Sequence, residues 1–200
     1  MRIIFTRHGE SYANTHNIIS NRGLLHGLTL KGRKQAESLS QNLKNYAVTR
    51  IFSSPILRAI ETSVILAYHL GVDYEVVDAL REFDAGSLEG RADEDAWNIM
   101  KGVFESWMKR ERRNEPLAGG ENFLDVHHRF VPFIDNLIDE YKTSEVNLVC
   151  VAHGGVYWMM LPLLLDKLDI QTISEHNGFD YATMIVSEWM DGGLFYRDWI

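Results

Sequence analysis

Arg7 and His8 stand together at the end of the apolar run Ile3-Ile4-Phe5-Thr6, and Gly9-Glu10-Ser11 follows at once. An imidazole has a reference pKa near ~6.5, so at neutral pH it is available as a nucleophile or a base. A guanidinium beside it is a fixed cation able to make paired hydrogen bonds to an oxyanion. A second apolar run, Leu148-Val149-Cys150-Val151-Ala152, ends in the same way at His153-Gly154-Gly155. A third polar stretch, Ser53-Ser54-Pro55, leads into Arg58. Each charge-assisted hydrogen bond from such groups is worth roughly 1.5–3 kcal/mol. Two arginines and two histidines around one phosphoryl group could therefore neutralise it without a metal ion. Phosphoryl transfer needs little beyond alignment and charge stabilisation.

For these residues to meet, the apolar runs must be neighbouring strands, with the polar sites at their carboxyl ends, where open α/β sheets bind ligands. The sequence predicts strands over 3–6, 50–53, 74–77 and 146–152, and two late strands over 182–188 and 194–199 joined by a turn at Asp191-Gly192-Gly193. Helices are expected over 30–44 with Thr29 as cap, from Ser54-Pro55 to Leu70 with Gly71 as stop, over 93–110, over 122–142 with Pro132 as a kink or break, and over 156–165. This alternation predicts a three-layer α/β/α sandwich with a mostly parallel central sheet and an antiparallel element near the end.

The chain has 200 residues, 46% hydrophobic and 24% charged, which suits a single domain over 1–200, with residues 91–121 as a candidate lid. A net charge of −8 argues against a nucleic-acid binder, though a cleft can still focus a positive field on an anion. Cys150 is the single cysteine, the start of the chain runs straight into a strand, and the apolar stretch 161–165 is too short to span a bilayer. The expectation is a cytoplasmic protein with no membrane partner. Nothing in the sequence sets an oligomeric state.

Several separated motifs, in order, resemble the histidine phosphatase superfamily, in the branch that holds phosphoglycerate mutases and small phosphatases. They are Arg7-His8-Gly9-Glu10, Ser53-Ser54-Pro55 leading to Arg58-Ala59 and Glu61-Thr62, Arg81-Glu82 leading to Gly86 and Glu89-Gly90, Gly119-Gly120-Glu121-Asn122, and Ala152-His153-Gly154. The resemblance implies a phosphoglycerate mutase-like fold and a phosphohistidine on His8. It implies that Arg7, Arg58 and His153 hold the phosphoryl oxygens, and that Glu82 protonates the leaving oxygen and then activates water. Asn14 stands where the family often has another phosphate ligand, and Gly154 and Arg22 fall at the substrate rim. The implied substrate is a small phosphorylated molecule, with no cofactor.

Other readings compete. Asp84 and Glu89 are carboxylates close to Glu82. Trp97, Met100, Phe104 and Trp107 recur at helical spacing, a pattern of core packing or of a hydrophobic lid. Lys109, Arg110, Arg112 and Arg113 suit a solvated helix end or a second anion site. His127 and His128 are adjacent and so do not share a helix face. His16, His26 and His176 are either loop residues or site lining. The absence of a Cys-x5-Arg loop, a Gly-x-Ser-x-Gly elbow and a Walker A motif removes three other hydrolytic chemistries. The chain is shorter than the mutases, which favours a phosphatase, with a phosphoglycerate mutase and a non-catalytic phospho-ligand binder as alternatives.

Overall fold

The computed structural model describes residues 1–176 and 178–200. Its seven-stranded sheet comprises β1 (Arg2–Arg7), β2 (Arg50–Ser53), β3 (Tyr74–Val76), β4 (Asn147–Ala152), β5 (Leu165–Asp166), β6 (Met184–Met190) and β7 (Gly193–Trp199). The strand order is β3-β2-β4-β1-β6-β7-β5. β3, β2, β4 and β1 run parallel, β6 is antiparallel to both β1 and β7, and β5 pairs parallel with β7. The expected mostly parallel sheet with a late antiparallel element is thus present.

Side-chain alternation sends successive strand residues to opposite faces. Ile4, Ile51, Val149 and Val151 pack with Leu39, Leu43, Ala59 and Leu66, which belong to α2 (Leu30–Leu43) and α3 (Leu57–Leu70). Ile3, Phe5, Leu148 and Cys150 pack on the other face against α5 (Phe123–Tyr141) and α6 (Gly154–Leu164). The chain leaves β1 through α2 toward β2 and leaves β4 through α6 toward the opposite edge. The neighbours β1 and β4 therefore flank a topological switch point, where a crevice opens above the strand ends. Arg7 pairs with Ala152 in register, and Ser53 with Val151, so the polar sites that follow all three strands emerge at one level.

Local signals explain most boundaries. The Thr29 hydroxyl accepts from the Gly32 N–H and starts α2, and Gly71 ends α3 in the left-handed conformation (φ 68°). Asp191 and Gly192 both have positive φ and close the two-residue turn between β6 and β7. Three expectations shift. α3 begins at Leu57 rather than at Ser54-Pro55, because the Ser54 hydroxyl accepts from the Ile56 N–H in a turn that precedes the helix. Pro132 leaves α5 unbroken, since it lies on the exposed face, where the carbonyl it strands is solvated. α6 begins at Gly154, two residues before its expected start at 156. The short helices α1 (Tyr12–Thr15) and α7 (Ile170–Glu175) and strand β5 carry no strong sequence signal.

Candidate active site

His8 is 2% exposed and lies just past β1. Its Nδ1 is 2.7 Å from the Gly9 carbonyl oxygen, which can only accept, so the ring proton sits on Nδ1. Nε2 is left with its lone pair, toward which the Arg58 Nε–H points at 2.8 Å. Burial first, then the charges of Arg58 and Arg7, push the imidazole well below its ordinary pKa and keep it neutral. The turn beneath it is locked by the Gly9 N–H donating to Thr62 Oγ1 at 3.1 Å, while that hydroxyl donates to the Arg58 carbonyl at 2.8 Å.

Arg58, in the first turn of α3, is 4% exposed and acts as a hub. Besides His8, it donates from Nη1 to the Ser20 carbonyl at 2.7 Å and from Nη2 to His153 Nδ1 at 3.1 Å. A guanidinium cannot accept, so His153 carries its proton on Nε2 and donates it to Ser54 Oγ at 2.6 Å. Burial lowers the Arg58 pKa to about 10, with the Glu82 carboxylate opposing the shift, so the group stays charged at neutral pH. His153, like His8, is held well below its ordinary pKa, by burial and then by Arg58. The two rings lie 5.1 Å apart, with both nitrogens of His153 engaged, by Arg58 and by Ser54.

Arg7 donates from Nη1 to the Phe179 carbonyl at 2.7 Å, and its guanidinium lies 4.1 Å above the Tyr181 ring. Its buried Nε has no partner among the described residues, a donor that an incoming oxyanion would satisfy. Antiparallel pairing of β6 brings this aromatic loop to β1: the Ala182 N–H donates to the Arg7 carbonyl, and Thr6 Oγ1 to that of Thr183.

Glu82 Oε1 accepts from the N–H groups of Phe83 (3.1 Å) and Val156 (2.7 Å), and Oε2 accepts from that of Gly155 (2.9 Å). Burial raises its pKa above the ordinary carboxylate value, although these backbone donors and Arg58 pull the other way. The fit is close, since a Cβ on Gly155 would stand 2.7 Å from Glu82 Oε1. The N-terminal amides of Gly155 and Val156 thus hold Glu82. This also explains the early start of α6 on two glycines. Of the three candidate carboxylates, Glu82 lines the pocket. Asp84 is paired with Arg22 and caps the Gly86 N–H, and Glu89 accepts from the N–H groups of Asn21 and Arg22.

These groups form the floor of a cavity of about 530 Å³. Asn14 and Gly154 line it; Asn14 Oδ1 is used by the N–H and hydroxyl of Ser11, so its amide nitrogen is the free end. Arg22 follows the lining residue Asn21 but turns outward to Asp84. Trp97, Met100 and Phe104, on α4 (Glu94–Met108), form one wall, whereas Trp107 of the same stripe is fully buried in the core. Core and wall thus divide one helical stripe. The basic segment after α4 is partly tied up: Arg112 pairs with Glu115, and Arg113 donates to the Trp107 carbonyl and stacks on Phe123. His26 Nδ1 is 2.8 Å from the hydroxyl of the lining residue Ser20; His16 is exposed, and His176 stacks on Trp199. Ser20, Asn21, Phe179 and Tyr181 are contributions that sequence reasoning missed. They come from loops with no periodic pattern, placed by long-range pairing.

The fold and this chemistry together define a class, the α/β/α enzymes that transfer phosphoryl groups. The family model described as histidine phosphatase superfamily, branch 1, matches residues 3–200, and the chain belongs to that superfamily. Phosphoserine phosphatase 1 of Hydrogenobacter thermophilus is 28% identical over 170 residues, covering 84% of this chain and 79% of that one. Among solved structures, a protein described as mycobacterial hydrolase 1 superposes with a TM-score of 0.80 at 25% identity, covering 98% of this chain and 95% of the other. The native structure of mycobacterial glucosyl-3-phosphoglycerate phosphatase gives a TM-score of 0.75 at 26% identity, covering 98% and 95%. No helix among the described residues is long and apolar enough to cross a membrane.

Proposed function

We propose that the protein is a metal-independent phosphomonoesterase that works through a phosphohistidine on His8. His8 Nε2 attacks phosphorus, the N–P bond forms as the P–O ester bond breaks, and Glu82 gives its proton to the departing oxygen. Water then attacks phosphorus, Glu82 takes the proton back, the N–P bond breaks, and inorganic phosphate leaves. Arg7 and Arg58 hold the non-bridging oxygens, and Asn14 adds a donor from its amide; His153, expected to join them on those oxygens, has both ring nitrogens engaged by Arg58 and Ser54 and sets the position of Arg58 instead. Arg58 exchanges its contact with Nε2 for one with the phosphoryl group, which frees the lone pair as the substrate arrives. The segment 91–121 acts as a lid, with α4 as its pocket-facing wall.

The observation that carries this reading is the His8 tautomer. The Gly9 carbonyl holds the proton on Nδ1, and the lone pair of Nε2 is left facing Arg58 in a pocket that Arg7 and the carboxyl group of Glu82 also line. Phosphorus chemistry uses each of these groups, whereas a passive binding site would have no use for an ionisable carboxyl group held so close to the anion. Membership of the superfamily and the phosphatase names of the relatives support hydrolysis. The test is phosphate release from a panel of monoesters, run beside incubation of 3-phosphoglycerate with and without 2,3-bisphosphoglycerate. Phosphate release should exceed any isomerisation. Fast bisphosphate-dependent interconversion with negligible hydrolysis would make the protein a mutase, and tight phosphate binding without turnover would make it a binding protein.

A further inference from the structure

The cavity floor is charged, whereas its walls are mostly apolar. Ile18, Trp97, Met100, Phe104, Trp158 and Phe179 line it above the histidine. Trp97 donates its indole N–H to the Asn17 carbonyl at 2.7 Å, which leaves the ring to the pocket as an apolar surface of fixed orientation. Of the lining cations, Arg7 and Arg58 belong to the phosphoryl site. The third, Lys101, is 75% exposed at the mouth and lies 3.9 Å from Glu105. Arg22 and Arg91, on neighbouring loops, are paired with Asp84 and Asp93. A second anionic group on the substrate would find no buried cation among the residues that line the cavity beyond Arg7 and Arg58, and burying an unpaired carboxylate is costly.

Resting on the phosphatase reading, we propose that the pocket above His8 takes the alcohol portion of a monoester with an apolar or aromatic body, and selects against small phospho-acids and bisphosphates. The volume agrees: about 530 Å³ lies within the range of sites that enclose drug-sized ligands, roughly 300–1,000 Å³.

The experiment compares substrates with similar primary-alcohol leaving groups, so that chemistry is constant and only the body changes. 3-Phenylpropyl phosphate should exceed propyl phosphate in kcat/KM by roughly 10–100-fold, the range that burying one phenyl ring supports. O-phosphoserine should fall below propyl phosphate. Trp97→Ala and Phe104→Ala should each shrink the phenylpropyl-to-propyl ratio by about fivefold or more. If either variant fails to fold, the wild type still decides, because 3-phenylpropylphosphonate should inhibit more tightly than propylphosphonate by a similar ratio. A ratio near unity in both comparisons, or a preference for phosphoserine, overturns the proposal and leaves hydrolysis standing. Failure to hydrolyse any monoester, p-nitrophenyl phosphate included, removes the phosphatase reading and this inference with it.

Discussion

Ser54 is fully buried, and removing its hydroxyl should impair catalysis. That hydroxyl accepts from His153 Nε2–H at 2.6 Å and from the Ile56 N–H at 3.2 Å. Ser54→Ala strips the acceptor from both donors. A net hydrogen bond is worth about 1 kcal/mol and an unsatisfied buried donor costs about 1–3 kcal/mol, so a stability loss of about 2–4 kcal/mol is expected. The larger consequence lies one bond further on. Without Ser54 nothing favours the proton on Nε2 over Nδ1, and in the Nδ1–H form the ring meets the Arg58 Nη2–H at 3.1 Å, donor against donor. Arg58 must then withdraw, and it also holds His8 Nε2 at 2.8 Å. A barrier increase of about 1.4–2.8 kcal/mol, or ten- to a hundredfold in kcat/KM, follows if the displaced Arg58 no longer places one charge-assisted hydrogen bond on the phosphoryl group. The assays are steady-state hydrolysis of p-nitrophenyl phosphate, urea denaturation, and nitrogen-15 correlation spectra of the histidine rings. A folded Ser54→Ala protein with His153 still protonated on Nε2 and a rate within about twofold of wild type would refute the relay.

Glu82→Gln should slow alkyl phosphates far more than p-nitrophenyl phosphate, because only poor leaving groups need the proton; equal losses would point away from Glu82 as the acid. Gly155→Ala should displace the Phe83 ring and push the carboxylate off its amides, since the new Cβ would collide with Phe83 Cε1 and fall 2.7 Å from Glu82 Oε1, and activity on alkyl esters should drop while circular dichroism stays native. His8 and His153 are neutral in the fold but titrate near ~6.5 when unfolded, so below that pH the unfolded chain binds more protons and stability falls. The two groups together should therefore lower stability between pH 7 and about 5.5, partly offset by Glu82, whose raised pKa works in the opposite sense. Urea midpoints that do not move over that range would contradict the neutral pair. Dialysis against EDTA should leave the rate unchanged and orthovanadate should inhibit; loss of activity restored by magnesium or zinc would require a metal step.

Much of the phosphoryl site is legible because its signals are local. An apolar run that stops at Arg7-His8-Gly9 or at His153-Gly154 marks a strand end by itself, and parallel pairing then brings those ends to one level. Thr29 acts through a hydroxyl that reaches an amide three residues on and Gly71 through its own backbone, so the helix boundaries they set read correctly. What escapes is set by distant partners. Phe179 and Tyr181 reach Arg7 because β6 pairs antiparallel with β1. The start of α6 on glycines, normally poor helix formers, depends on Glu82 filling its first amides from more than seventy residues away. Arg22 illustrates the converse: near the rim in sequence, it is turned outward by Asp84. Pattern reading also leaves open which part of the 97–107 stripe faces the core and which faces the cavity, since both need apolar residues at the same spacing.

The central claim is that phosphorus is carried on Nε2 of His8. Enzyme mixed with a slow alkyl phosphate and quenched in base should gain one phosphoryl group, acid-labile and base-stable, that fragment masses assign to His8 and phosphorus-31 spectra assign to the Nε2 isomer. The group should appear and decay during turnover and be absent from His8→Ala. Turnover with no labelled histidine, or label on Nδ1 or on another residue, would contradict the account.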